Sequence, residues 1–257
     1  MSTDKPVILL TNDDGFDAKG LAAVIEAAKP LGEIVVLAPD GPRSGVAGAI
    51  TRNVPLTIKL VRKDENVTIY KCNGMPVDCI KLGLETVVPQ KPKLIISGVN
   101  HGENISINIH YSGTMGAVLE GCMKGIPSVG FSLDNSSWNA DFSATIPIIR
   151  QVAQKVLEEG LSEGTCLNVN FPNTNEYKGI KICRQGRGVW DREYEERTHP
   201  FGYKYYWATG HFINYEPDAE DTDKWAIDHG YVSITPQKID ATSYEEMKKI
   251  EAFNITI

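Results

Sequence analysis

Asn12, Asp13, Asp14 and Gly15 stand together directly after an uninterrupted run, Val7 to Thr11 (VILLT). Adjacent carboxylates repel when both are ionised and close, which raises a pKa unless a cation lies beside them. A hard divalent ion, Mg²⁺ or Mn²⁺, relieves that repulsion and takes carboxylate, hydroxyl, amide-carbonyl and water oxygens. Further oxygens of this kind occur at Ser44, in Pro39-Asp40…Arg43-Ser44, and at Asn100, in the stretch Gly98 to Asn104. Asp-Asp-Gly is also an ordinary turn and helix cap, so the tripeptide alone does not decide. Ser112-Gly113-Thr114 opens an apolar helical run, which would aim backbone N–H groups, the positive dipole end and two hydroxyls at a phosphoryl group. A plain N-cap explains the same residues. His101 reads either as a general acid or as a hydrogen-bonded bystander. Arg184, Arg187 and Arg192 read either as phosphate ligands or as a water-facing charge run.

These residues need elements to bring them together. Val7–Thr11 reads as a strand buried on both faces. Leu21, Val24, Ile25 and Ala28 recur at helical spacing, Pro30 and Gly32 close that helix, and Ile34 to Ala38 is a second buried strand. That is one β-α-β unit, hence a parallel pair. Residues 50–74 alternate around Asp64, Glu65 and Asn66 and predict a hairpin. Helices near 77–87, 113–124 and 144–159 then lead to strands 93–97, 127–133 and 166–171, with Pro147 blurring the start of the third helix. The sequence therefore predicts an α/β protein with a mostly parallel sheet and helices on both faces. Ligands in such sheets gather beyond the carboxyl ends of the strands where the winding reverses. The loops after the strands ending at Thr11, Ala38 and Ser97 would converge there on one pocket.

Beyond Asn173 the character changes. Nine of the 21 aromatic residues lie between Trp190 and Tyr215, too many for a solvated loop. Tyr203, Tyr205 and Trp207 would share one strand face of a long hairpin, about 186–216, that packs on a second subunit. Residues 230–236 predict another strand and Tyr244 to Phe253 a terminal helix.

The chain of 257 residues, 42% hydrophobic, allows one large α/β domain with additions or two small ones. We divide it into residues 1–172, a metal- and nucleotide-binding part, and residues 173–257, an extension carrying the arm. No apolar run is long enough for a membrane helix, so a cytoplasmic address is expected. The net charge of −7 argues against binding polynucleotide through a general positive field. Five scattered cysteines, Cys72, Cys79, Cys122, Cys166 and Cys183, fit no zinc register and read as buried free thiols.

Taken together, ILLTNDDGFDAKGL (8–21), VVLAPDGPRSG (35–45), CNGMPVDCIKLGL (72–84), ISGVNHGENIS (96–106), YSGTMGAVLEG (111–121), LNVNFP (167–172), RQGRGVWDREYEER (184–197) and GYVSITP (230–236) resemble the blocks of the survival protein SurE family of nucleotidases, in order. The resemblance implies a Rossmann-like fold and one divalent cation per subunit on the positions matching Asp13, Asp14, Ser44 and Asn100. It implies hydrolysis of nucleoside 5′- and 3′-monophosphates, and homodimers or homotetramers with exchanged C-terminal arms. Short polyphosphate is a further substrate to test. In the expected mechanism the cation neutralises phosphate charge and acidifies a water, while Ser112, Gly113 and Thr114, with Asn12 beside them, hold phosphoryl oxygens; Asp14 is the alternative nucleophile or base. The chain departs from the family at Ser106 and Asn108, where Gly and Asp are usual, and at Met75, where Thr is usual. A non-catalytic metal- or nucleotide-sensing module, or an assembly protein working through its arm, are the rival classes.

Overall fold

The computed structural model describes residues 5–253 and 255. In chain order the elements are β1 (Val7–Thr11), α1 (Lys19–Ala28), β2 (Glu33–Pro39), β3 (Ile58–Lys63), β4 (Val67–Cys72), α2 (Pro76–Thr86), β5 (Leu94–His101), α3 (Gly113–Met123), β6 (Ser128–Leu133), α4 (Ile146–Glu159), β7 (Thr165–Phe171), β8 (Ile180–Ile182), β9 (Gly188–Asp191), β10 (Tyr194–Thr198), β11 (Lys204–Ala208), β12 (His211–Asn214), α5 (Asp223–Asp228), β13 (Val232–Lys238) and α6 (Tyr244–Glu251).

Nine strands form one sheet in the order β3-β4-β2-β1-β5-β6-β7-β13-β8. β4, β2, β1, β5, β6 and β7 run parallel, and β3 and β13 pair antiparallel at β4 and β7. The chain winds outward one way from β1 through β2 and the other way from β5, so the reversal lies between β1 and β5.

Both faces of the sheet are covered, which is why its central strands are buried along nearly their whole length and are mostly apolar. Alternate residues of β1 serve opposite cores. Ile8 and Leu10 join a cluster with Leu21, Val24, Ile25 and Ala28 of α1 and Ile149, Val152 and Ala153 of α4. Val7 and Leu9 join Ile80 of α2 and Ala117 of α3. The helical spacing read from α1 thus marks its core face. Pro147 stands in the first turn of α4, the place where its missing N–H costs nothing.

The first 172 residues do not stand apart from the rest: β13 and β8 extend the same sheet beyond β7. The arm leaves between them as two successive antiparallel pairs, β9 with β12 and β10 with β11. All five cysteines are free and buried. Among the described residues no helix is long and apolar enough to cross a membrane.

Candidate active site at the sheet edge

The loop after β1 is shaped by Asn12, whose amide Nδ2 donates to Gly15 O at 2.9 Å and whose Oδ1 accepts from Gly15 N at 3.3 Å. Both ends of this side chain are therefore spent on a loop staple. Asn12 does not line the cavity, which differs from its expected place among phosphate ligands; a polar residue before a tight turn meets its own backbone first. The staple presents Asp13 and Asp14, which are 3% and 4% exposed. The second loop is tied to the first by Arg43 N, which donates to Asp13 O at 2.7 Å.

The segment expected as a loop after Ser97 continues as strand. Pairing of β5 with β6 slips between Ser97 and Asn100 and resumes with Asn100 opposite Ser132 and His101 opposite Leu133. Such a slip re-aims the residues that follow it. It requires glycine at 98, where φ is 123° and a Cβ would lie 2.2 Å from Phe131 O.

Asp13, Ser44, Gly45, Asn100, His101, Asn104, Asn108, Tyr111 and Ser112 line one cavity of about 160 Å³. Three of the four expected cation ligands are thus brought together. Asp14 lies behind the wall: its Oδ2 accepts from His101 N at 3.1 Å and meets His101 Nδ1 at 3.0 Å. The His101 side chain is 4% exposed and packed against Trp138 and Phe142, with ring centroids 5.1 and 4.8 Å away. Its Nε2 is buried and has no partner among the described residues.

The amino end of α3 closes the pocket. Gly113 lets it approach, since a Cβ there would fall 2.9 Å from Asp13 Cβ. Ser112 caps the helix, its Oγ accepting from Met115 N at 3.0 Å, and still faces the cavity. Thr114, expected to hold phosphate, is fully buried and donates its hydroxyl to Asp13 Oδ1.

The Asp13 carboxyl is pushed up to about 7, first by burial and then by the neighbouring Asp14 charge, against the pull of Thr114 and His101. Repulsion between the two carboxylates is therefore real but second to desolvation. Among the described residues no three or more His, Cys, Asp or Glu side chains converge as a metal cluster, so any cation here relies on the mixed set of carboxylate, hydroxyl and amide oxygens.

Several supporting residues escape sequence reasoning. Asn104 N donates to Asn170 Oδ1 at 2.8 Å and Asn104 Nδ2 to Ser132 Oγ at 2.8 Å. Asn168 Nδ2 donates to Asn104 O at 2.7 Å and Asn170 Nδ2 to Asn168 Oδ1 at 2.9 Å. The available signal was the pair of asparagines in LNVNF, since polar groups inside a covered strand must find partners. The arginines face water: Arg184 pairs with Glu216 and Asp221, and the Arg192 side chain is 86% exposed.

A doubly wound sheet with an acidic, amide-lined cavity at its winding reversal defines a Rossmann-like α/β protein of the kind that takes phosphorylated small molecules at that point. The family model described as survival protein SurE matches residues 8–192. The protein named 5′-nucleotidase SurE of Phocaeicola vulgatus is 54% identical over 257 residues, covering 100% of both chains. That of Bacteroides fragilis is 48% identical over 255 residues, covering 99% of this chain and 100% of its own. The crystal structure of the Aquifex aeolicus SurE protein superposes with a TM-score of 0.84 at 38% identity, covering 97% of this chain and 100% of that one. The chain belongs to the survival protein SurE family.

Proposed function

We propose that this chain is a divalent-metal-dependent phosphatase that hydrolyses nucleoside monophosphates to nucleoside and phosphate, the class of activity named for its relatives. The observation that carries the site assignment is the buried carboxylate of Asp13 at a cavity that also offers Ser44 and Asn100, with the buried Asp14 directly behind its wall. Burial of two adjacent acids with one imidazole as their only close basic side-chain partner among the described residues leaves negative charge that a cation would balance. The donor set is all hard oxygen, which fits Mg²⁺ or Mn²⁺ and not a soft metal. We assign Asp13, Asp14, Ser44 and Asn100 to one such ion per subunit. When bound, it neutralises phosphate charge and lowers the pKa of water.

The chain's own residues do the rest. Thr114 fixes Asp13, and His101 fixes Asp14. The first-turn N–H groups of a helix have no partner within that helix, so Gly113 and Thr114 N–H, with the Ser112 hydroxyl, receive the phosphoryl oxygens at the positive end of α3. Asn12 acts by shaping the loop. The nucleophile is water or Asp14. Acceptance of both 5′- and 3′-monophosphates fits a cavity of about 160 Å³, which grips the phosphoryl group and leaves the nucleoside outside.

Residues 1–172 carry the chemistry and residues 173–257 the assembly, as a homodimer or homotetramer with exchanged arms. Support for the latter is the exposure of Phe201, Tyr206 and Trp207. We place the chain in the cytoplasm without polynucleotide or membrane partners, a reading that its charge and hydropathy favour. The test is phosphate release from 5′- and 3′-mononucleotides and short polyphosphate, with and without Mg²⁺ and Mn²⁺. Cation-dependent release from mononucleotides is expected. Binding without release would make the chain a sensor, and an Asp14→Ala variant of undiminished activity would refute the site.

A further inference from the structure

Arm and cavity meet at Asn108. This residue lines the cavity, and Trp190 of β9 donates its indole Nε1–H to Asn108 Oδ1 at 2.7 Å. On the other side Asn108 Nδ2 donates to Glu103 Oε1 at 2.9 Å. An indole nitrogen is a donor only, so the amide atom facing it must be the oxygen, and the orientation of the amide is settled by chemistry. The nitrogen carries two hydrogens. One is spent on Glu103, which leaves one N–H unassigned on a cavity wall.

The arm's root holds this segment at a second point. Ser106 N donates to Asp223 Oδ2 at 2.9 Å, and Gly186 N to Asp223 Oδ1 at 2.8 Å. Ser106 Oγ donates to Gly186 O at 2.9 Å, and Asp223 is fully buried. Trp190 is itself braced edge-on by Phe212 at 5.9 Å between centroids. The segment bearing Asn108 is therefore held from the arm side as well as from the sheet, to which Asn104 is bound.

We propose that Asn108 orients the substrate, donating its free Nδ2–H to an oxygen of the nucleoside monophosphate next to the phosphorus, and that Trp190 is the positioning residue that keeps this amide aimed. The assignment presupposes the phosphatase activity proposed above. In this chain, where Glu103 faces position 108, a carboxylate there would repel Glu103 and offer the substrate no donor.

The test is steady-state kinetics on a nucleoside 5′-monophosphate with Mn²⁺ for the full chain and for Trp190→Phe, Asn108→Ala and their double variant, with oligomer size and melting temperature as controls. Loss of one hydrogen bond in Trp190→Phe is expected to raise KM roughly 3- to 10-fold while kcat moves less than about twofold. The double variant should be no worse than Asn108→Ala, because both changes remove one interaction. Asn108→Asp should raise KM further, and adding Glu103→Gln should recover part of the loss, a rescue that mere loosening does not give. An unchanged KM in Trp190→Phe, additive effects in the double variant, or a fall in kcat in place of the KM rise would overturn the assignment. If the unaltered chain releases no phosphate, the phosphatase reading falls by itself, and calorimetric Kd for the same nucleotide replaces KM. An unchanged Kd in Trp190→Phe, or no binding by the unaltered chain, then overturns the role of the pair.

Discussion

The sheet edge and the arm obey opposite rules. At the edge, Asp13, Asp14, Asn104, Asn168 and Asn170 are all buried, and most of their polar atoms are matched within the chain. In the arm, Phe201 is 88% and Trp207 62% exposed, and among the described residues their surroundings offer ring contacts between near neighbours, such as His199 and Tyr203, whose centroids stack at 4.4 Å. Buried polar groups left unpaired cost about 1–3 kcal/mol each, so a polar site must be completed by its own fold. An apolar strip in water is tolerable but incomplete, and in the proposed assembly a second copy would complete it. On the proposed reading, folding and a cation complete the first region, and association completes the second.

The sharpest way to break this contrast is to unfinish the polar region. Asp13→Ala and Asp14→Ala should each lower kcat/KM on the order of 10³-fold or more, with the far-ultraviolet circular dichroism unchanged. A loss of only severalfold would mean that the edge is scaffold and not site. The next largest effect concerns pH. With the Asp13 carboxyl raised from 3.8 to about 7 by burial, the folded cation-free chain holds a proton that the unfolded chain releases. Its stability should therefore be highest in acid relative to this group and fall as pH rises from 3.8 to about 7, by on the order of 4 kcal/mol. Saturating Mn²⁺ should flatten that slope. Urea melts at a series of pH values, with and without the ion, read both outcomes.

How far each region was legible in the sequence follows the same divide. The strands and helices of the sheet announce themselves because burial on both faces leaves apolar runs and helical spacing that few other structures need. The cavity-lining places of Asp13, Ser44 and Asn100 were within reach because all three lie at or just past the carboxyl ends of such strands. The roles of Asn12 and Thr114 were not: a side chain that can bind phosphate can equally hold a loop or a carboxylate, and only distance separates the two. The extension of β5 to His101 was hidden by Gly98, which reads as a loop residue but permits the slip between Ser97 and Asn100. Trp190 was visible as part of an aromatic strip, yet its bond to Asn108 joins residues 82 positions apart, which no local pattern records. The helix α6 is amphipathic enough to be read from Tyr244, Met247 and Ile250, but none of its residues is buried, so the same periodicity that marked cores elsewhere marks here a face that no described residue covers.

The joint between the regions gives the third prediction. Asp223 accepts from Ser106, Gly186 and Lys224 backbone N–H groups at 2.9, 2.8 and 2.8 Å. Asp223→Asn keeps the shape but turns one end of the side chain into a donor, which leaves a buried N–H facing another. A loss of roughly 2–3 kcal/mol in denaturant melts is expected, with KM raised because Ser106 and the segment behind it loosen. If stability falls and KM does not move, the clamp serves the sheet alone.

The smallest expected change in chemistry comes with the largest change in assembly. β9 pairs with β12 through Asp191 and His211, and the exposed aromatic strip lies beyond that pair. Replacing residues 193–209 with a two-glycine turn therefore removes Phe201, Tyr203, Tyr205, Tyr206 and Trp207 but keeps Trp190 on Asn108. Light scattering should then report a smaller species than the unaltered chain, because the apolar strip has lost its counterpart. kcat/KM should stay within about threefold, since a surface change remote from the polar network adds little to it. Removing β9 and β12 as well takes Trp190 away, and the rise in KM should appear only in that longer deletion. A trimmed arm that assembles as before would place the association surface elsewhere, with α6 the next candidate, while a trimmed arm that loses activity outright would mean the polar site is not finished by folding after all.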